Sequence, residues 1–156
     1  MGGAVLTGLV VVCLGACGST GTEVSAPSTH SAKETILAFL DATIAGDTAI
    51  ACSLITDDLA SAIRTSALAH YKPEAASVAE RNALRTRQAE RTKECPAALK
   101  LRADELGDRL TRLRASVAAD KARNPQEGGP LWILGGKHRW TVGGQGDHWQ
   151  IYGAPI

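Results

Sequence analysis

Residues 34–63 read ETILAFLDATIAGDTAIACSLITDDLASAI, and three helix signals follow one another inside this stretch. Ser31 and Glu34 stand at the spacing of a capping box, in which the two side chains satisfy amide groups that a helix start leaves open. Ile36, Leu37, Leu40 and Ile44 recur at helical spacing, and Gly46 is a natural stop. Asp47 then suits the N-cap of a short second helix through Ile55. Thr56, Asp57 and Asp58 place a cap and two negative charges at the start of a third, which carries Leu59, Ile63 and Leu68. Cys52 lies among Ile50, Leu54 and Ile55, and Pro73 closes this first unit.

Working outward toward the C-terminus, residues 74–94 favour helix but are nearly all polar, with Val78 and Leu84 as the large aliphatics, so an exposed helix is expected. After Pro96, a residue suited to a helix start, Leu99, Ala103, Leu106, Leu110, Leu113 and Val117 form an apolar seam at steps of three and four. Arg102, Arg109, Arg112 and Arg114 are read as lying off it. The seam is expected to be the buried stripe of one long amphipathic helix over 97–123, with a coiled-coil dimer face as the alternative. Residues 124–130 (NPQEGGP) are a loop by their Gly and Pro content. Beyond them 131–134, 138–142 and 148–152 alternate like strands, with Gly135-Gly136 and residues 143–147 (GGQGD) as turns, so an antiparallel meander follows. Trp140 and Val142 share one face, as do Trp149 and Ile151. The expected class is α+β, helix-rich, with N-terminal helices packed on a small C-terminal antiparallel sheet.

Working outward toward the N-terminus, residues 2–16 (GGAVLTGLVVVCLGA) carry no charge and hold a short apolar core, followed by Cys17 and the polar run GSTGTEVSAPSTH. Such a segment has the character of a signal-peptide core and is too short for a stable spanning helix, which needs roughly 20 apolar residues. Leu14, Gly15, Ala16 and Cys17 resemble a bacterial lipobox, in which cleavage occurs before a cysteine that carries lipid. The stretch ahead departs from that pattern in having no Lys or Arg. The expected organisation is a signal peptide over 1–16, lipidated Cys17 and a tether over 17–30, and one domain over 31–156. The thirteen tether residues after Cys17 reach at most about 45 Å. Cys13 then leaves with the signal peptide and Cys17 is lipidated, so Cys52 and Cys95 remain to pair. Outside the cytoplasm a disulfide is the default for such a pair, and closing a loop of about 44 residues contributes up to about 4 kcal/mol on the chain-entropy account.

The 17 Lys and Arg against 16 Asp and Glu conceal a gradient: residues 17–63 carry one base and six acids, and 64–156 carry 16 bases and 10 acids. A net charge of +1 gives no ground for nucleic-acid binding by charge alone. The basic excess is interleaved with acids and reads as a solvated face, with weak attraction to anionic headgroups as the sharper alternative. The segment GGPLWILGGKH fails as a phosphate loop, because Leu131 stands where the first glycine is needed and His138 follows Lys137. No CxxC or HxxxH spacing implies a metal, no GxSxG orders a nucleophile, and no cofactor motif is present. His138 and His148 have the spacing to approach across the last hairpin, although exposed or satisfied strand histidines are the more ordinary arrangement.

The run over 34–63, the later ECPAAL and the closing GDHWQIYGAPI together resemble the actinobacterial lipoproteins with an NTF2-like (SnoaL-like) domain. The resemblance covers the first helices, the second cysteine and the last ten residues. It implies an α+β cone, helices on a curved antiparallel sheet around a pocket. The chain departs from that pattern after Cys95, where helix rather than strand is read, so a reduced cone with three strands is expected. The function expected is a lipid-anchored, extracytoplasmic, non-catalytic binding or interaction module at the cell membrane, with a protein or small-molecule ligand. A small enzyme is the alternative, with Asp41, Asp57 or His138 as acid/base candidates if a pocket surrounds them. A helical scaffold using the seam is another.

Overall fold

The computed structural model describes residues 29–125, 131–135 and 138–156, so Cys13, Cys17 and the segments expected to be a signal peptide and, for the most part, a tether lie outside the described residues. Helix α1 (Ala32–Ala45) starts as its cap predicts: the Glu34 amide donates to Ser31 Oγ at 3.2 Å, and the Glu34 carboxylate accepts from the His30 amide at 2.8 Å. Gly46 ends it in the left-handed conformation at φ +84°. Its buried stripe is broader than the aliphatic pattern, taking in Thr35, Ile36, Phe39, Leu40 and Thr43. The two threonines enter the core because their hydroxyls donate to the carbonyls of Ser31 and Phe39, one turn back. Ile44, expected on this face, is 45% exposed, because the stripe turns past it toward Thr43. Thr29, two residues before Ser31, is already part of the folded body: it is buried and bonds Thr35 through their hydroxyls at 2.8 Å.

Helix α2 (Thr48–Ser53) is shorter than expected and Asp47 precedes it without a side-chain cap. Helix α3 (Asp57–His70) has the predicted cap, Thr56 Oγ1 accepting from the Leu59 amide, and buries Leu59, Ile63 and Ala67 where Leu68 had been expected. Helix α4 (Val78–Arg91) buries none of its residues, as its polarity implies.

The single long helix expected after Pro96 is two. Helix α5 (Cys95–Leu106) and helix α6 (Asp108–Ala119) meet at Gly107, whose φ of +47° and ψ of −127° only glycine adopts without strain. The Gly107 amide donates to Ala103 O and its carbonyl accepts from the Leu110 amide, so one residue closes one helix and opens the next. The break lets both halves of the seam reach the same core: α5 packs on α2 and α3, and α6 on α1. Leu99, Leu106, Leu110, Leu113 and Val117 are all buried there, so the seam is occupied by its own chain.

Strands β1 (Leu131–Leu134), β2 (Trp140–Gln145) and β3 (His148–Gly153) form an antiparallel sheet in sequence order. The helix-rich α+β class read from the sequence is the one observed. Gly143 and Gly144, expected in the turn, are strand residues opposite Gln150 and Trp149. A Cβ on Gly144 would lie 2.1 Å from His148 O, so its lack of a side chain lets β3 approach, and the turn shrinks to Gly146-Asp147. Both sheet edges are closed by single bridges. Arg123 exchanges two backbone bonds with Ile133 at 2.8 and 3.0 Å beside β1, and Ile151 of β3 bonds Leu54 and Thr56. An edge so covered has few free groups to template a foreign strand.

The inner face of the sheet carries Leu134, Trp140, Val142 and Ile151, all buried, onto α1. Phe39 meets Trp140 edge to face, with centroids 5.9 Å apart at 68°. On the other face Tyr152, the extra residue where β2 and β3 slip register, is 53% exposed. Trp140→Ala is expected to cost about 3–5 kcal/mol, and Tyr152→Ala less than about 0.5 kcal/mol, in urea unfolding followed by circular dichroism. Similar losses for the two would contradict this placement of the core.

Candidate functional site

Cys52 of α2 and Cys95 at the start of α5 form the expected disulfide, with Cα atoms 6.1 Å apart and a sequence separation of 43. It fastens the first helical unit to the second where α2 and α5 already pack.

The three acid/base candidates lie on different elements, and all are exposed. Asp41 faces α6, where Arg114 holds it through two hydrogen bonds, one from the Arg114 η-nitrogen to Asp41 Oδ2 at 3.0 Å and one from Nε to Oδ1. Those bonds outweigh the slight burial and hold the Asp41 carboxyl below the usual aspartate range; the Arg114 guanidinium is raised in turn. Asp57 stands in the first turn of α3, and His138 precedes β2. His138 and His148 do not meet: Gln145 faces His148 at the turn, whereas Thr141 faces Gly153 at the far end of the ladder, beyond which His138 lies. Among the described residues no three His, Cys, Asp or Glu side chains gather as a metal site.

Arg102, read as lying off the seam, is buried against α3, its side chain 10% exposed. Its guanidinium donates to Glu105, whose other oxygen lies 3.3 Å from His70 Nδ1 at the end of α3. The Arg102 hydrogen bond, with the charges of Arg102, His70 and Lys72, keeps the Glu105 carboxyl below its ordinary value. Glu105 therefore ties α5 to α3, a structural role.

Two open clefts stand out among the described residues. One of about 410 Å³ separates the end of α1 from α5 and α6, and the charged pair on its rim, Lys100 and Asp104, is satisfied internally at 3.1 Å. The other, of about 370 Å³, lies where the chain leaves α6 and runs along β1, lined by Asp120, Arg123, Asn124, Pro125, Ile133, Leu134, Gly135 and Arg139. Its frame is built from backbone. Lys33 donates to Ala118 O at 2.6 Å and Asp120 O at 3.0 Å, pinning the end of α6 to the start of α1. The Asp120 carboxylate accepts from the Lys121 amide at 2.8 Å and the Gly135 amide at 2.6 Å. The Arg123–Ile133 bridge and the Leu134–Trp140 pairing then set Arg123 on one side of β1 and Arg139 on the other.

Asp120 is thus engaged by amides, and neither Arg123 nor Arg139 has an ion-pair partner among the described residues. The two guanidiniums give the cleft its character, and fork-shaped donors of this kind match carboxylate and phosphate groups. The sequence reading had not singled out either arginine; their position at the two ends of a strand–turn unit was the available signal.

Replacing Cys52 and Cys95 together by alanine is expected to lower stability by as much as about 4 kcal/mol in urea unfolding, the loop-closure limit. No change would mean that the bridge constrains nothing. Arg114→Gln is expected to return the Asp41 carboxyl toward its unfolded value of about 3.9, read by NMR titration. Because the folded value is the lower one, the stabilisation from this pair is present above about pH 4 and fades as pH falls through the folded value. An unmoved Asp41 titration would contradict the assignment.

No family model matches the chain, and no curated protein and no solved structure matches it, which leaves the chemistry of its own residues as the ground for a functional reading.

Proposed function

We propose that the chain is a lipid-anchored, extracytoplasmic binding module of the cell membrane, held through Cys17 and binding its ligand in the cleft lined by the exit of α6, the end of β1 and Arg139. The cleft carries the binding part of this reading: it is open to solvent and walled by two arginines whose guanidiniums make no ion pair among the described residues. Export is supported by two features that belong together chemically. Leu14-Gly15-Ala16-Cys17 ends an uncharged apolar run, and the Cys52–Cys95 disulfide persists in an oxidising compartment. Among the described residues no helix is long and apolar enough to cross a membrane, and in this reading the lipid on Cys17 supplies the attachment. The acid/base alternative has exposed, separated candidates, and the scaffold alternative has its seam inside the core.

Cys17→Ser is expected to move the protein from the membrane to the soluble fraction, and retention on the membrane would overturn the anchor. For binding, the full chain in nonionic detergent is heated with a panel of anionic, cationic and neutral small molecules while tryptophan fluorescence is followed. A saturable rise in Tm with at least one class is expected, as linkage requires of a ligand that binds the native state. No rise with any class would sink the module reading.

A further inference from the structure

We infer that the ligand of this cleft is a small molecule presenting an oxyanion, a carboxylate or a phosphate, gripped between the guanidiniums of Arg123 and Arg139. The inference rests on the binding-module reading and adds the chemical class. Three observations carry it. The volume of about 370 Å³ falls at the small end of ligand sites, which span about 300–1,000 Å³. Among the described residues the one acid in the wall, Asp120, already accepts from the Lys121 and Gly135 amides, so its charge is partly compensated by the frame, and both arginines stay free of ion pairs among the same residues. A buried donor also backs the cleft. Trp140 is fully buried, and its Nε1–H has no acceptor among the described residues. The neighbouring ring atom, Cδ1, abuts the cleft-lining Gly135 so closely that a Cβ there would stand 3.0 Å away. The N–H edge of the indole therefore lies next to the Gly135 wall of the cleft.

The other cleft is the natural comparison. Lys100 on its rim is paired with Asp104, and Asp108 adds a second acid, so an incoming anion would meet repulsion there. The position of the arginine cleft also bears on where its ligand comes from. Lys33, the second residue of α1, donates to the Asp120 carbonyl, and the expected tether leads into Thr29 and His30 just ahead of that helix. The site therefore lies at the tethered end of the body, within reach of free anions and of the phosphodiester headgroups of the anchoring membrane.

Isothermal titration of the full chain in nonionic detergent tests this with three probes: inorganic phosphate, succinate, and glycerophosphoglycerol as a headgroup without acyl chains. At least one is expected to bind saturably with a Kd below about 1 mM. Arg123→Gln and Arg139→Gln should each weaken it about tenfold or more, as loss of a charge-assisted hydrogen bond does. Arg85→Gln on exposed α4 should leave it unchanged, and Tm should be unaltered in all three variants because these side chains are exposed. Preference for phosphate or succinate identifies a free anion, and preference for the diester identifies the membrane as the source. Binding that survives the Arg123→Gln/Arg139→Gln double variant overturns the assignment, as does the absence of binding by every probe. If neutral or cationic molecules alone raise the Tm of the full chain, the oxyanion assignment falls while the binding module stands.

Discussion

The edge-to-face contact of Phe39 with Trp140 is the joint on which the rest of the molecule depends. Six aromatic residues are spread over 156 positions, and these two are the ones placed at the centre. Phe39 sits midway along α1, the helix that touches α2, α5, α6 and two strands, and Trp140 opens the middle strand of the sheet. Burying two large rings at one point offsets the chain entropy that a domain of this size must lose, and it fixes the distance between helix layer and sheet. The cleft inherits its geometry from this joint. Trp140 pairs with Leu134 and abuts Gly135, and Gly135 holds Asp120 through its amide. A shift of the indole would therefore move both the turn and the exit of α6.

Much of this arrangement was legible because local signals agreed with tertiary need. Ser31 and Thr56 cap α1 and α3 as written, α4 is polar and stays exposed, and the disulfide joins the two cysteines left after residues 13 and 17. The failures share a cause, which is that periodicity counts aliphatic side chains while packing counts whole faces. Thr35 and Thr43 entered the core by returning their hydroxyls to the backbone, and the face turned away from Ile44. Arg102 lies three residues from Leu99 and four from Leu106, hence on their side of α5. It was buried when α3 widened the stripe, its stem packed and its charge handed to Glu105. Gly107 falls between Leu106 and Leu110 without disturbing their spacing, so the seam concealed a break that only the backbone conformation reveals. The arginines of the cleft were invisible for another reason. Residues 123 and 139 become neighbours only through strand register, which no local pattern encodes.

Covering the edges of so small a sheet explains why the helical part and the meander behave as one body. A three-stranded sheet with one apolar face is near the minimum that can persist, and here each outer strand borrows a bridge from a helix connection. The α2–α3 junction supplies Leu54 and Thr56 to β3, and the exit of α6 supplies Arg123 to β1. The disulfide fixes α2 on α5 immediately before the first of these junctions, and Lys33 fixes the end of α6 immediately before the second. Each bridge is thus supported by a cross-link a few residues upstream.

The charge gradient acquires a physical meaning from this geometry. Four of the six acidic residues of the first sixty positions serve helix starts or α6: Glu34 on the His30 amide, Asp57 and Asp58 in the first turn of α3, Asp41 on Arg114. In the basic remainder several cations are also engaged, Arg102 by Glu105 and Lys100 by Asp104. Arg123 and Arg139 are left over at a concave site, where low-dielectric walls strengthen an attraction that the same charges on a flat surface would lose to screening. The near-zero net charge of the chain therefore coexists with a local positive field beside the start of α1, and a cleft that is cationic while the molecule is neutral discriminates by position rather than by total charge.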